Sequence, residues 1–244
     1  MTAPGDSVEI LAVGAHPDDI ELSCGGLLLL MRRRGYRFAL VDLTAGERGS
    51  RGDAATRAQE AKSAAARLGA AGRACLALPD TQLQETPGAV RLLIEEIRRW
   101  RPQLLLTMDG GDGHPDHRAC AAITKRAAFL AALPKAEAAG AAHRVRRVVR
   151  YGRHPHFAPS FVVDISDVVE EKLEVIRCHA SQFTRTGGGA KTPISDPAFV
   201  EDLKAYWRFH GLAAGALYAE PYAIDGPPAL PDPLAALCIE RRDF

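Results

Sequence analysis

Apolar residues fall in short, nearly unbroken blocks along this chain. Each block is followed by a stretch in which apolar positions recur every three or four residues. The blocks at 8–15, 38–43, 74–78 and 104–108 read as buried strands, and the stretches at 20–34, 54–68, 90–100 and 117–133 as helices. Gly35 and Gly69 stand where the first two helices should stop, and Pro102 closes the third. Strands at 145–151 and 161–165 and helices at 168–179 and 197–214 extend the series. Alternation at this spacing predicts an α/β, Rossmann-like fold: a mostly parallel sheet with helices on both faces. The pattern suits a single domain over residues 1–244. Residues 184–193, with Gly187, Gly188 and Gly189, read as a mobile loop over the active site, and the Pro-rich 226–244 as an extended C-terminal tail.

Sheets of this kind bind ligands beyond the carboxyl ends of their strands. Two such ends carry dense polar motifs: His16-Pro17-Asp18-Asp19 after the first strand and His114-Pro115-Asp116-His117 after the fourth. Imidazoles and carboxylates gathered this way suit a catalytic divalent metal, which takes about three protein ligands and keeps one position for water. The metal makes that water a nucleophile and polarises a carbonyl. A carboxylate nearby can take the water's proton, and a histidine can steady the oxyanion. In one arrangement His16, Asp19 and His117 are ligands, Asp18 is the base, His114 is the acid or oxyanion stabiliser, and Asp116 orients an imidazole. Several permutations satisfy the same chemistry. Each motif also has a plainer reading: Asp18 with Glu21, three residues on, could be a helix-capping arrangement, and Asp116 could cap the next helix. Two such clusters at two strand ends favour the metal.

Composition narrows the rest. Lys plus Arg number 31 against 30 Asp plus Glu, a net charge of +1, so nothing points to nucleic acid or an anionic membrane. The basic runs 32–34, 98–99 and 144–150 read as solvated faces and rims. Five scattered cysteines (Cys24, Cys75, Cys120, Cys178, Cys238) have neither metal-ligand nor redox spacing. That argues against a disulfide framework and for a reducing, cytoplasmic setting. No signal segment or membrane-length apolar run is evident. Gly14 leads into His16-Pro17 rather than a dinucleotide turn, and the glycines of 46–52 lack the Lys-Ser/Thr ending of a phosphate loop.

With Ala15-His16-Pro17-Asp18-Asp19 near its start and His114-Pro115-Asp116-His117 mid-chain, the sequence resembles the PIG-L/LmbE family of zinc-dependent N-deacetylases. The resemblance implies His16, Asp19 and His117 as zinc ligands, Asp18 as base and His114 as transition-state stabiliser. Fe2+ also suits this ligand set. Further matches follow: Leu43-Thr44, Gly46-Glu47, Gly49 to Gly52, Arg57 and Glu60, and Leu78-Pro79-Asp80. Phe161 to Ser166, Ser181-Gln182-Phe183, Gly211 and Tyr218-Ala219-Glu220-Pro221-Tyr222 resemble the subgroup that deacetylates N-acetyl-α-D-glucosaminyl L-malate in bacillithiol biosynthesis. That subgroup's basic residue before Gly46 is Ala45 here, and the triple glycine is an addition.

By resemblance, Arg57 binds sugar hydroxyls or the aglycone, and Glu47 and Asp80 bind hydroxyls. The plainer reading of Arg57 is a helix arginine paired with Glu60. The family also implies a homo-oligomer, a hexamer or smaller. Other N-acetyl sugars, such as a chitooligosaccharide or an antibiotic precursor, and thiol-conjugate amides are rival substrates for the same chemistry. A non-catalytic metal- or nucleotide-binding module is the rival of another class, and Asp18 beside a full ligand set argues against it. His154 and His156 either line the cleft or are solvated in a loop. His179 and His210 read as structural, and His143 as surface.

Overall fold

A computed structural model describes residues 7–183 and 190–232. The elements run β1 (Ile10–Gly14), α1 (Asp19–Arg33), β2 (Phe38–Thr44), α2 (Ala54–Leu68), β3 (Gly72–Leu78), α3 (Pro87–Trp100), β4 (Leu104–Met108) and α4 (Pro115–Ala131). Then come β5 (Arg147–Tyr151), β6 (Phe161–Asp164), a 3-10 turn at Ser166–Val168, α5 (Val169–Ile176), α6 (Ala180–Phe183), a second 3-10 turn at Pro193–Ser195, α7 (Phe199–Ala214) and β7 (Ala219–Ile224). The strands form one seven-stranded sheet in the order β3-β2-β1-β4-β5-β7-β6. The first five are parallel, and β7 runs antiparallel to both β5 and β6. Every residue of β1 and β2 is buried, as expected of strands covered on both faces.

Strand order reverses between β1 and its neighbour β4, since the chain leaves β1 outward to β2 and later returns to β4 on the other side. A ligand crevice opens at such a switch point, and both His-Pro-Asp motifs sit there.

Local chemistry sets the helix ends. Asp53 accepts the Thr56 N–H at 2.7 Å and Thr86 that of Ala89 at 3.2 Å, each capping a helix start. Thr86 with Pro87 at the first helical position is why α3 begins three residues before its apolar periodicity does. Its stop is Arg101 in the left-handed region (φ 51°), one residue ahead of the expected Pro102. The expected helix 168–179 is shorter: α5 follows the 3-10 turn and ends at Ile176, and the single turn of α6 comes after it at Ala180–Phe183.

The largest departure from the pattern is β7, an interior strand that its Pro221 conceals. Proline has no N–H for a ladder and is normally excluded from such strands. Here β5 pairs only with 222–224, so Pro221 lies beyond that ladder. The triple glycine of the expected mobile loop and the last part of the expected tail, 233–244, lie outside the described residues, as does Cys238. Residues 226–232 are exposed and without regular structure. The other four cysteines are free. Among the described residues no helix is long and apolar enough to cross a membrane.

Helix α1 carries the first motif and is anchored from an unusual side. Glu220 of β7 accepts the mid-helix N–H groups of Gly26 and Leu27, both at 2.8 Å. Its Oε1 is also 2.5 Å from Lys172 Nζ, which donates to the Leu22 carbonyl at 3.0 Å. Lys172 and Glu220 are fully buried, and Tyr222 donates to Glu220 as well. Breaking such a pair strands a buried charge at a cost of about 3–5 kcal/mol. The approach needs glycine at 26: a Cβ there would lie 2.6 Å from Ile165 and 2.8 Å from Glu220 Oε1, whereas at Gly25 the nearest atom is 3.6 Å away. Gly26→Ala should therefore cost about 2 kcal/mol or more. Gly25→Ala should be neutral or stabilising by up to ~1 kcal/mol. Denaturant midpoints of the two variants decide this.

A second buried cluster ties α1 to β2 and β3. Arg73 grips Asp42 (2.6 and 2.9 Å) and Glu21 (2.5 Å). Burial pushes the Glu21 carboxyl up, but the Arg73 guanidinium and His179 outweigh it and hold it at about 2, below the ordinary 4.5. A depressed folded-state value adds stability above the unfolded value and loses it as pH falls toward the folded one. Acidifying from roughly pH 5 to pH 2.5 should thus lower the unfolding free energy of the wild type more than that of Glu21→Gln, followed by denaturant titration at each pH.

Candidate active site

The turn after β1 delivers His16 and Asp18, and α1 starts at Asp19. Asp18 is buried with φ 121°, a conformation that costs a non-glycine residue energy and tends to persist at functional sites. Its side chain makes no capping hydrogen bond, and Glu21 is turned to Arg73, so the capping-box alternative does not describe this turn. The loop after β4 delivers the second motif. His114 is the N-cap of α4, its Nδ1 accepting the Asp116 N–H at 3.2 Å. It is His114, not Asp116, that caps.

The two motifs meet. Rings of His16 and His114 are 5.0 Å apart, His16 and His117 5.6 Å, and His114 and His117 stack at 4.6 Å. Asp19 lies between two imidazoles: Oδ2 is 3.4 Å from His16 Nδ1 and Oδ1 is 3.4 Å from His117 Nε2. The other nitrogen of His16 faces Asp80 Oδ1 at 3.1 Å and Asp116 Oδ2 at 3.3 Å.

Two triads place ligand atoms within 4.8 Å of one another: His16, Asp19 and His117, and His16, His114 and Asp116. Hydrogen bonding separates them. Asp116 already accepts Thr81 N–H at 2.8 Å and Leu83 N–H at 3.2 Å, one on each oxygen, and His114 Nδ1 is taken by its cap. In the first triad Asp19 Oδ1 and His117 Nε2 face each other with no such commitments. Two imidazoles and one carboxylate form a donor set that suits Zn2+ or Fe2+ with positions left for water and substrate. The residues fit a divalent metal.

The electrostatics fit too. Burial opposes charge on His16, but Asp19 and Asp80 raise it to about 11, and on His117 Asp19 and Asp112 raise it to about 9. The cluster is short of positive charge. Burial, with Asp19 alongside, lifts Asp18 to about 6 against the pull of Arg57. His114 is lowered, by burial and by the neighbouring His117 and His16, which keeps it neutral with its ring proton on Nε2. Asp80 is held at about 2, chiefly by its bond to His16.

The residues expected on the substrate make these contacts within the protein. Arg57 is buried; it donates to the carbonyls of Gly46 (3.0 Å) and Pro17 (2.8 Å) and stands 3.7 Å from Asp18. That guanidinium braces the Asp18 turn instead of facing solvent, and it does not pair with Glu60. Glu60 accepts Ser181 N–H and Oγ–H at 2.6 and 2.7 Å. Asp80 is spent on His16 and on the Arg48 N–H (2.9 Å), and Glu47, exposed, accepts the Asp80 N–H at 2.8 Å. Both belong to the wall that holds His16.

Sequence reasoning missed Asp112, 3.0 Å from His117 Nδ1, and Asp109, which binds His154 Nε2 at 3.1 Å and Arg150. The only signal was their place in the turn just before the second motif. His156 is exposed, His179 is buried against Glu21, His210 is buried beside Tyr206, and His143 is half-buried, bonded to the Pro102 carbonyl at 2.7 Å.

The PIG-L family model, described as GlcNAc-PI de-N-acetylase, matches residues 11–128, which span both motifs. A diacetylchitobiose deacetylase of Thermococcus kodakarensis is 31% identical over 230 residues, covering 88% of this chain and 82% of that one. The chain belongs to the PIG-L family. A 1D-myo-inositol 2-acetamido-2-deoxy-alpha-D-glucopyranoside deacetylase of Rhodococcus erythropolis is 28% identical over 280 residues, covering 89% and 94% of the two chains. Among solved structures, a conserved protein of Thermus thermophilus superposes with a TM-score of 0.84 at 36% identity, covering 93% of this chain and 98% of that one. As a PIG-L member the protein is a deacetylase, a hydrolase of amide bonds.

If Arg57 braces Asp18, Arg57→Ala should lower kcat about tenfold or more while KM for an N-acetylated sugar moves less than about threefold. A sugar-binding Arg57 would raise KM instead, so steady-state kinetics separate the two.

Proposed function

We propose that this PIG-L deacetylase removes the acetyl group from an N-acetylglucosaminide, with His16, Asp19 and His117 holding a divalent metal, Zn2+ first. The observation that carries the reading is Asp18: a buried carboxyl raised to about 6 beside that triad. A general base works best with a value near the operating pH. The metal, when bound, activates water and polarises the acetamide carbonyl.

The chain's own residues do the rest. Asp18 takes a proton from the attacking water as its oxygen bonds to the carbonyl carbon. His114, neutral, donates its Nε2 proton in a hydrogen bond to the carbonyl oxygen as charge develops there. Asp18 then passes its proton to the nitrogen as the C–N bond breaks, leaving acetate and a free amine. Asp80 and Asp116 keep the His16 ring in place.

For the aglycone we favour L-malate, the bacillithiol-pathway substrate, in a cytoplasmic setting; the sequence resemblance in 161–166 and 218–222 supports it. Arg48 adds a cation on the loop wall. Its backbone is fixed on Asp80, and with the Gln82 amide oxygen turned toward it, its guanidinium is 3.0 and 3.2 Å from that oxygen. A planar fork of this kind suits a carboxylate. A homo-oligomer belongs to the same reading: Phe129 on α4 is 69% exposed and Leu133 38%. The main rival is a neutral chitooligosaccharide, as the Thermococcus relative's name suggests.

Amine release from N-acetylglucosaminyl malate and diacetylchitobiose, assayed side by side with Zn2+-loaded protein, tests this. A kcat/KM at least about tenfold higher for the malate conjugate is expected, and a preference for diacetylchitobiose overturns the malate assignment. Asp18→Asn should lose about 10²-fold or more in kcat with its metal content unchanged. Near-wild-type turnover by that variant would remove Asp18 as base.

A further inference from the structure

The turn at 109–113 joins β4 to the second motif and contains a carboxylate the proposed chemistry does not use. We propose that Asp112 is a positioning residue that sets His114 and His117 together, one carboxylate oxygen on each. Its Oδ1 accepts the His114 backbone N–H at 2.8 Å. Its Oδ2 lies 3.0 Å from His117 Nδ1. That nitrogen is buried and faces the carboxylate at this distance without a hydrogen bond of good geometry in this structure. His117 thus divides its ring, with Nε2 toward Asp19 and the metal position and Nδ1 toward Asp112.

A carboxylate on the far nitrogen of a ligating imidazole does two things. It keeps the proton there, leaving the near nitrogen's lone pair for the metal, and it makes that lone pair a better donor. The same carboxylate, through the His114 N–H, fixes the residue whose ring must meet the carbonyl oxygen. A shift of Asp112 would therefore disturb metal hold and transition-state contact at once.

The turn is held against such a shift from both sides. Arg118 donates to the carbonyls of Asp112 (3.1 Å) and Gly113 (3.3 Å). Asp109 accepts the Gly111 N–H at 2.8 Å and is itself gripped by Arg150 and by His154 Nε2. A side chain at 111 would lie 2.9 Å from Asp109 Oδ2, so glycine there allows the close approach. His154 accordingly acts on this turn through Asp109.

The inference rests on the reading of His117 as a ligand and His114 as the stabiliser. It is tested on the full chain by Zn2+ affinity, measured in competition with a chromophoric chelator, alongside kcat at saturating Zn2+ and the Tm of the metal-free protein. Asp112→Asn keeps an acceptor for the His114 N–H but removes the charge beside His117. It should weaken Zn2+ binding about 10–100-fold, with a metal-free Tm near wild type. Asp112→Ala should weaken Zn2+ equally and lose further kcat at saturating Zn2+, because the His114 turn is released as well. Zn2+ affinity of Asp112→Asn within about threefold of wild type overturns the proposal, as does a loss that only tracks a lowered Tm. The affinity ratio needs no turnover. If the wild type binds Zn2+ yet releases no amine from any N-acetylglucosaminide, the proposed function fails while Asp112 is still judged.

Discussion

Three carboxylates from three segments surround the imidazole of His16. Asp19 opens α1, Asp80 follows β3 and Asp116 lies in the first turn of α4, with contacts of 3.1 to 3.4 Å. Buried acids repel one another and hold together only around positive charge. In the structure that charge falls to His16 and His117, whose values rise to about 11 and about 9. The same shortage makes the site a place for a divalent cation. It also explains why the ends of β1, β3 and β4 must be brought together with little slack, and the scaffold can be read as the means to that end.

Two buried charge clusters supply the rigidity. Lys172 and Glu220 reach into the middle of α1, and Arg73 with Glu21 and Asp42 holds its first turns. Neither touches the site, yet together they fix the helix whose N-terminus presents Asp19. Arg57 supplies the last constraint, bonding the Pro17 carbonyl so that Asp18 stays at its positive φ. Charged pairs this deep contribute little net stability over an apolar packing. Their value here is in direction: bonds from charged groups set angles as well as distances.

What was legible in the sequence was what local pattern determines. β1 and β4 are nearly continuous apolar runs, so they showed, and so did the motifs at their ends. The order of the first elements followed from their spacing. β7 did not show, because Pro221 breaks the strand signature while the ladder it would spoil stops one residue short. Asp112, Asp109 and the Glu60–Ser181 bond were invisible for another reason. A lone acid has no periodicity, and its partner is chosen by the fold. The resemblance put Arg57 and Asp80 at the site, and their contacts there, to Asp18 and to His16, were not legible in the sequence.

The split between what the motifs reveal and what they leave open has a physical origin. The floor of the site consists of side chains whose polar atoms are paired with one another, so a substitution at one unsettles several. The wall above it carries exposed Glu47 and Arg48 on a loop whose far end is bound, through Arg51, to the carbonyls of Ser181 and Ala190. Changes there disturb few of the floor's bonds. Relatives named for a chitobiose and for an inositol glycoside align with this chain along most of its length, as expected if amide hydrolysis belongs to the floor and the choice of aglycone to the wall. Resemblance in the floor therefore speaks strongly for the reaction and weakly for the substrate, and the wall's charge is the feature of this chain that bears on the difference.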